Sequence, residues 1–249
     1  MATDPPASTE PPPARRRGCA GCAGRLLRGA AVVLVLLVLF AAFQWLTWPD
    51  VAALASEPPA TTAFVERAKR DGEVRWTWVS YDRISPHLKR AVLVSEDIGF
   101  FDHDGFATEE METALREAWA EKRLPRGAST ITQQVAKNLW LSPSLSPWRK
   151  GKEALLTRQL EKRLAKRRVL EIYLNVVELG PGIFGAEAAS RHYFGKPAAA
   201  LGEREAAQLA AALTRPKSWH PGVDSGGYRW KTNLILGRMA DAQWLWKVI

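Results

Sequence analysis

Residues 126–138 read Arg-Gly-Ala-Ser-Thr-Ile-Thr-Gln-Gln-Val-Ala-Lys-Asn, and they predict both a helix start and a polar helix face. Thr130 and Gln133 have the spacing of a capping box, which marks the first turn of a helix. The first backbone N–H groups of a helix have no partners within it and attract negative charge. This turn is therefore a candidate site for a phosphate or carboxylate. Gln134 and Lys137 extend the polar face, although an ordinary capped amphipathic helix shows the same local pattern.

Composition places the chain among globular proteins with an anionic partner. It has 249 residues, enough for one substantial core or two small domains, and an ordinary apolar fraction of 47%. The formal net charge of +9 favours anionic lipid, nucleic acid or a phosphorylated ligand. The 11 tryptophans suit a membrane interface or a stacking surface, because the indole is apolar and carries one N–H donor.

Cys19 and Cys22 are the two cysteines of the chain, and their spacing is C-x-x-C. No second pair exists to complete a zinc site, and no cysteine follows that could form a disulfide in the remaining sequence. Small residues beside a membrane segment explain the pair equally well.

The N-terminal region predicts a membrane anchor. Residues 1–28 are rich in Pro, Ala and Arg and predict a disordered, basic cytoplasmic tail. Residues 29–48 are almost continuously apolar and long enough to cross a bilayer as a helix. Arginines before this run keep that end in the cytoplasm and place the rest of the chain outside, which excludes a nucleic-acid partner. A cleaved signal peptide is the alternative, since residues 53–55 resemble a cleavage site, but the run is long and far from Met1.

The remainder predicts a mainly α domain over residues 73–249, reached through a linker over 49–72. A short helix is expected over 61–70, a strand around residues 74–78, and a helix opened by Ser85 and Pro86. Further helices are expected over 108–122, 130–141, 149–175, 185–193, 204–213 and 230–246. An apolar loop over 139–148 separates two of them.

Glu96 and Glu153 are the carboxylates that suggest chemistry. Glu96 ends a predicted helix beside Phe100, so it is a candidate for proton transfer in a partly desolvated setting. A solvated acidic helix end is the alternative, and His103 is expected to be a hydrogen-bonded structural residue. Glu153 can pair with Arg149 one turn earlier, as ordinary surface ion pairs do. One carboxylate for proton transfer and a second near cations is also a glycosyl-transfer arrangement.

Five motifs in order resemble those of the family 51 glycosyltransferases. They are E-D-x-x-F-x-x-H-x-G at 96–105, G-x-S-T-I-T-Q-Q at 127–134, R-K-x-x-E at 149–153, a K-x-x-I-L-E-x-Y-L-N type at 166–175, and a G-x-x-G-x-x-x-A-x-x-x-Y-F type at 182–194. The resemblance extends from about residue 74 to 221 and is strongest with the monofunctional biosynthetic peptidoglycan transglycosylases. Ala128 and Gly202 depart from the usual pattern, and neither affects the implied chemistry.

The resemblance implies a lysozyme-like, mainly α fold and the polymerisation of lipid II into β-1,4-linked glycan strands. Undecaprenyl diphosphate is released, and the donor anomeric carbon inverts. No Ser-x-x-Lys or Lys-Thr-Gly motif is present, so no transpeptidase activity is expected. The implied location is the bacterial inner membrane, with the catalytic domain in the periplasm. Membrane lipid, the growing glycan strand and other cell-wall synthesis proteins are the implied partners.

Roles for individual residues follow from the same resemblance. Glu96 would be the catalytic acid/base, and Glu153 would support the reaction near the donor. The residues expected to bind the diphosphate and the sugars are Arg126, Ser129, Thr130, Gln133, Gln134, Lys137, Arg149, Lys150 and Tyr193. Glu171 is expected to be structural. The sequence shows no required cofactor and no metal site, and it leaves open a divalent cation that screens the diphosphate.

Two other functions remain open at this point. A lytic enzyme that cleaves glycan strands would share the catalytic glutamate but would not need Lys137 and Arg149 directed at a diphosphate. A membrane-anchored scaffold without catalysis would not require Glu96, Glu153 and a basic helix face together.

Overall fold

The computed structural model describes residues 20–107, 112, 116, 129–144 and 146–249, without the side chains of 20–27. The chain divides into two compact units, residues 1–49 and 50–249. The helix predicted over 108–122 falls outside the described residues except at two positions, and Arg126 and Cys19 also fall outside them.

The first unit contains one long helix, α1 (Ala20–Leu46). Residues 28–46 are long and apolar enough to cross a membrane, with a mean hydropathy of 2.4. The helix begins before the predicted boundary at 29, so residues 20–28 are helical and differ from the disordered tail expected there. Alanine and leucine are strong helix formers and continue the helix in this direction. It ends at Leu46, before Pro49, which cannot donate a backbone hydrogen bond.

The second unit is built from eight described helices and three short strands. The helices are α2 (Ala63–Asp71), α3 (Pro86–Glu96), α4 (Ile131–Trp140), α5 (Pro147–Arg163), α6 (Lys166–Val176), α7 (Ala186–Phe194), α8 (Glu203–Ala212) and α9 (Gly226–Asp241). The strands are β1 (Arg75–Trp76), β2 (Glu178–Gly180) and β3 (Ile183–Phe184). Short 3₁₀ turns cover Ala53–Ala55, Tyr81–Arg83, Ala198–Ala200 and Gln243–Lys247. The mainly α prediction is confirmed.

The strands form one small sheet in the order β1-β3-β2. β1 pairs with β3 in parallel, with Arg75 opposite Ile183, and β2 pairs with β3 antiparallel. The strand expected around residues 74–78 is therefore present, although its sheet is completed by residues one hundred positions later in the chain.

Two packing groups form the core. In the first, α4 packs against α5 and α6, and in the second, α3 packs against α8 and α9. Ile131 and Val135 of α4 and Leu156 and Leu160 of α5 are fully buried, as their helical spacing predicts. α6 contributes the fully buried Ile172 to the core.

The long helix predicted over 149–175 is two helices in the structure. Leu164, between α5 and α6, has the extended backbone angles φ −119° and ψ 142°, and its side chain is buried. The apolar period continues through the break because Leu164 still faces the core, and no Gly or Pro marks the turn. Lys166 then reaches back to the Glu161 carboxylate at 2.9 Å and to the His103 carbonyl.

Residues 50–72 belong to the compact unit and differ from the predicted linker over 49–72. Val51 and Leu54 are buried, and Arg168 of α6 donates to the carbonyl oxygens of Leu54 at 2.7 Å and Glu57 at 2.8 Å. α2 packs against α4 and buries Val65 completely. The helix expected over 61–70 is confirmed, and it forms part of the wall around the site described below.

Candidate active site

The capping box predicted at Thr130 is present. The Gln133 backbone N–H donates to the Thr130 hydroxyl oxygen at 3.3 Å, and the Thr130 N–H donates to Gln133 Oε1 at 3.0 Å. The Thr130 hydroxyl also donates to the Gly105 carbonyl at 2.7 Å. Thr130 is buried, so it holds the start of α4 and joins it to the segment after α3.

The anion at the start of α4 is Asp97. Its Oδ2 accepts from the Ile131 backbone N–H at 2.9 Å, and its Oδ1 lies 3.0 Å from His103 Nε2. His103 Nδ1 accepts from the Gly105 N–H at 3.1 Å, so the ring proton lies on Nε2 and is donated to Asp97. The chain's own carboxylate therefore takes one of the N–H groups that the sequence offered to an external anion. His103 is structural, as predicted.

Glu96 is the last residue of α3, and its carboxylate points to α4. Glu96 Oε2 accepts from Gln134 Nε2 at 3.0 Å, and Oε1 accepts from the Ser95 hydroxyl at 3.2 Å. The Gln134 amide oxygen in turn accepts from the Tyr173 hydroxyl at 3.0 Å. Burial, reinforced by the negative charges of Glu96 and Asp97, raises the pKa of Tyr173 well above its ordinary value. Tyr173 therefore remains a donor, and this orients the amide of Gln134 so that its N–H₂ faces Glu96.

A cleft of about 490 Å³ opens beside Gln134. Its lining residues are Phe64, Ser129, Gln133, Gln134, Lys137, Pro143, Arg149, Lys150 and Glu153. Seven of these were predicted as site residues. They come from α4, from α5 and from the turn before α4, and the fold brings them together. Phe64 and Pro143 were missed. Phe64 belongs to the segment expected to be a linker, and nothing in its local pattern signals a place in the cleft.

Glu153 holds the two cations beside it. Its Oε2 lies 2.5 Å from Arg149 Nη1, and its Oε1 is paired with Lys150 Nζ. The predicted pairing with Arg149 is confirmed, and the carboxylate is buried rather than on the surface. Because both carboxylate oxygens bind cations, Glu153 is suited to positioning them.

Lys137 is a half-buried cation that makes no hydrogen bond or ion pair with another described residue. Burial lowers the pKa of Lys137, the Glu153 charge opposes this shift, and Arg149 and Lys150 reinforce it. Arg149 Nε is likewise buried without a hydrogen-bond partner among the described residues. Two cationic groups with free donors in one cleft are suited to an anionic ligand, because electrostatic attraction is strong where water is partly excluded.

Tyr193 lies elsewhere. Its ring stacks on His220 with centroids 5.5 Å apart, and its hydroxyl is pressed against Gly180, where an added Cβ would lie 1.9 Å from it. Burial raises the pKa of Tyr193 to about 12, and the hydroxyl has no hydrogen-bond partner among the described residues. Tyr193 is not among the residues that line the cleft. Glu171 pairs with Arg168 at 2.7 Å and is structural, as expected.

Comparison with known proteins agrees with this geometry. A family model described as "Transglycosylase" matches residues 64–240. A biosynthetic peptidoglycan transglycosylase of Laribacter hongkongensis is 43% identical over 221 residues, which cover 86% of this chain and 96% of that protein. Proteins of the same name are 46% identical in an Azoarcus species, over 80% of this chain and 90% of theirs, and 51% identical in Aromatoleum aromaticum, over 78% and 87%. Similarity of this extent shows that the chain belongs to the transglycosylase family, whose members are peptidoglycan glycosyltransferases.

Proposed function

We propose that this protein polymerises lipid II into β-1,4-linked glycan strands and releases undecaprenyl diphosphate. The observation that carries the proposal is the position of Gln134. This residue lines the cationic cleft and also binds Glu96, so a candidate base and a candidate diphosphate site share one side chain. A glycosyl transfer that expels a diphosphate requires a base near the attacking hydroxyl and positive charge near the leaving group.

In the proposed step, the Glu96 carboxylate takes the proton of the 4-hydroxyl on the acceptor's terminal sugar. The hydroxyl oxygen attacks the anomeric carbon of the donor, and the bond from that carbon to the diphosphate oxygen breaks. The diphosphate leaves with the bonding electron pair, and the α-linked donor becomes a β-1,4 linkage. Inversion follows because a single displacement places the new bond opposite the one that breaks.

The cations of the cleft stabilise the charge that develops on the leaving group. The Lys137 ammonium is unpaired among the described residues and Arg149 lines the same cleft, so both place positive charge where the phosphate oxygens would lie. Fixed donors at the site of developing charge lower the barrier more than they stabilise the substrate. Ser129 and Lys150 are exposed at the rim, where they are available to sugar hydroxyls and phosphate oxygens.

The two glutamates have different environments, and this assigns them different roles. Among the described residues, Glu96 accepts hydrogen bonds from neutral donors and forms no ion pair. Glu153 is paired with two cations. Both oxygens of Glu153 are thus engaged by cations, whereas Glu96 is held by an amide and a hydroxyl beside the cleft. We therefore assign proton transfer to Glu96 and the positioning of cations to Glu153.

A membrane-bound substrate agrees with α1. We propose that α1 is a single-pass anchor in the inner membrane, with its N-terminal end in the cytoplasm and residues 50–249 in the periplasm. Transpeptidase activity is not expected from this chain, since its sequence contains neither Ser-x-x-Lys nor Lys-Thr-Gly.

The proposal is tested with the full-length protein in detergent and labelled lipid II, with products separated by length. We expect long glycan polymer whose formation is insensitive to penicillin. Glu96→Gln should abolish polymer formation while its circular dichroism spectrum stays that of the unmodified protein. Undiminished polymerisation by Glu96→Gln would overturn the assignment of the base. Digestion of purified sacculi without polymerisation of lipid II would favour a lytic enzyme instead.

A further inference from the structure

A cationic side chain, Lys231, lies on α9, a helix that packs beside the one ending at Glu96. α9 packs against α3 and α8, and Arg238 Nη1 of α9 donates to the Val94 carbonyl at 3.3 Å. This bond fixes α9 beside the last turn of α3, which ends at Glu96. Lys231 lies seven residues before Arg238, and residues seven apart share one face of a helix. Val94 binds Arg238 and the earlier His87 contacts the later Trp246, so α9 and the turn after it run antiparallel to α3, and Lys231 lies toward the C-terminal end of α3.

The ammonium group of Lys231 has no partner in the part of the chain that the structure describes. It forms neither a hydrogen bond nor an ion pair there, although the residue is half-buried. Burial lowers the pKa of Lys231, the charge of Glu96 opposes this effect, and Arg238 reinforces it. Lys231 and Glu96 form no ion pair in the described part of the chain, and the Glu96 oxygens are already bound by Ser95 and Gln134.

Lys231 and the cationic cleft reach Glu96 by separate routes. Lys137 and Arg149 belong to α4 and α5, and they are connected to Glu96 through Gln134 of α4. Lys231 belongs to α9, which packs in the other group of helices. Glu96 thus has a cation cluster on the side of α4 and a separate cation on the side of α9.

The proposed reaction needs two anionic substrates at once. Donor and acceptor both carry a diphosphate and a peptide with carboxylates, and the cleft between α4 and α5 is already assigned to the donor's diphosphate. The acceptor must bring its hydroxyl to Glu96, so the rest of the acceptor lies near this residue. An unpaired, partly desolvated cation binds an anion more strongly than a solvated one does.

We infer that Lys231 binds an anionic group of the acceptor, either its diphosphate or a carboxylate of its peptide, and selects for charged acceptors. This inference rests on the proposed function. It makes Lys231 a specificity-determining residue for the acceptor, whereas Lys137 and Arg149 act on the donor.

The test separates donor from acceptor. The donor is a lipid-linked oligosaccharide whose terminal 4-hydroxyl is blocked, so it cannot act as an acceptor. Three acceptors are compared: lipid II, lipid II with amidated peptide carboxylates, and a lipid-linked disaccharide peptide in which a neutral ether replaces the diphosphate. The full-length protein is compared with Lys231→Met and with Arg229→Met, a control on the same helix whose side chain is mostly exposed.

For Lys231→Met we expect KM for the lipid II acceptor to rise about ten-fold with little change in kcat, the size of one lost charge-assisted contact. The acceptor that lacks the group bound by Lys231 should show the same KM with both proteins. An unchanged KM for the neutral ether acceptor would show that Lys231 binds the diphosphate. An unchanged KM for the amidated acceptor would show that it binds a carboxylate of the peptide. Lys231→Arg should restore most of the affinity, and Arg229→Met should resemble the unmodified protein.

An equal rise of KM for all three acceptors would overturn the inference, as would a fall in kcat alone, because either result indicates a structural role. If Lys231→Met does not fold, Lys231→Gln gives the same comparison. Failure of the unmodified protein to polymerise lipid II would refute the proposed function itself. Normal polymerisation with an unchanged acceptor preference in the Lys231 variants would refute only the inference.

Discussion

Glu96 and Asp97 are adjacent at the end of α3, but changing each to its amide should have different effects. Asp97→Asn should lower the stability of the fold, and Glu96→Gln should abolish activity. The side chain of Asp97 is buried and joins the start of α4 to His103, whereas Glu96 binds Gln134 beside the cleft. In Asp97→Asn, one side-chain oxygen can still accept from the Ile131 N–H. The new amide N–H₂ then faces His103 Nε2, which also carries a proton, because Nδ1 accepts from Gly105. Two donors would meet where a donor and an anion now pair.

The loss of stability in Asp97→Asn can be estimated from the two interactions that the Asp97 charge strengthens. A hydrogen bond to a charged group contributes about 1.5–3 kcal/mol, and an anion at a helix start contributes about 0.3–1 kcal/mol. Since one carboxylate makes both, we expect the free energy of unfolding to fall by about 2 kcal/mol. For a unit of this size, that corresponds to a melting temperature lower by about 4–8 °C.

The assay is thermal unfolding of the full-length protein in detergent, followed by circular dichroism, alongside polymer formation from lipid II. Asp97→Asn should lower the melting temperature and retain part of its activity at a temperature well below melting. Glu96→Gln should abolish activity and shift the melting temperature by less than about 2 °C. Equal melting temperatures for Asp97→Asn and the unmodified protein would refute the role assigned to Asp97 at the start of α4.

Three further predictions concern the cleft. Lys137→Met should lower kcat about 100-fold, as expected when one donor to a developing anion is lost. Because burial lowers the pKa of Lys137, its ammonium is lost at a pH below the ordinary lysine value, and activity should fall as pH rises through that point. Lys137→Arg should move this decline to higher pH. Tyr173→Phe should lower kcat, since Gln134 then loses the donor that orients it, without adding a new step to the pH profile below about pH 10. Removal of divalent cations with EDTA should leave polymerisation measurable, because Lys137 and Arg149 supply positive charge to the diphosphate.

Each of these has a result that would count against it. A pH profile of Lys137→Arg identical to that of the unmodified protein would show that another group sets the alkaline decline. Normal kcat for Tyr173→Phe would mean that Gln134 is oriented by other contacts. Complete loss of activity in EDTA, restored by magnesium, would show that the cations of the cleft do not suffice.

Local pattern was sufficient for features that depend on neighbouring residues. The capping box at Thr130 needs only residues three apart, and the Arg149–Glu153 pair needs one helical turn. Ordered motifs also predicted which side chains would share the cleft, and seven of the expected residues line it. The capping box and the ion pair are short-range in the chain, so local sequence carries them directly, whereas the cleft residues were implied by the resemblance of the motifs to a known family.

The structure differs from the predictions where contacts between distant parts of the chain decide the outcome. Residues 50–72 join the compact unit because Arg168, more than one hundred positions later, binds the Leu54 and Glu57 carbonyls. No Gly or Pro marks the break at Leu164. The apolar residues on both sides of it pack against α4, so the helical period continues through the break. A periodic pattern reports which face is buried, but it does not report what that face packs against or where the backbone turns.

The sequence by itself determined the helical character of the chain, its apolar N-terminal segment and the capped start of α4, because each depends on residue type and on spacing within a few turns. The residues of the cleft were implied by the resemblance of the motifs to a known family. Only the tertiary structure decided that a carboxylate of the chain itself, that of Asp97, lies at the start of α4. Tertiary packing also placed Tyr193 against Gly180 and His220, and it packed α9, which carries Lys231, against α3. The physical reason is that the N-terminal end of a helix attracts any nearby anion. A half-buried cation likewise attracts any nearby carboxylate or phosphate. Which group is nearby depends on how helices distant in the chain pack together.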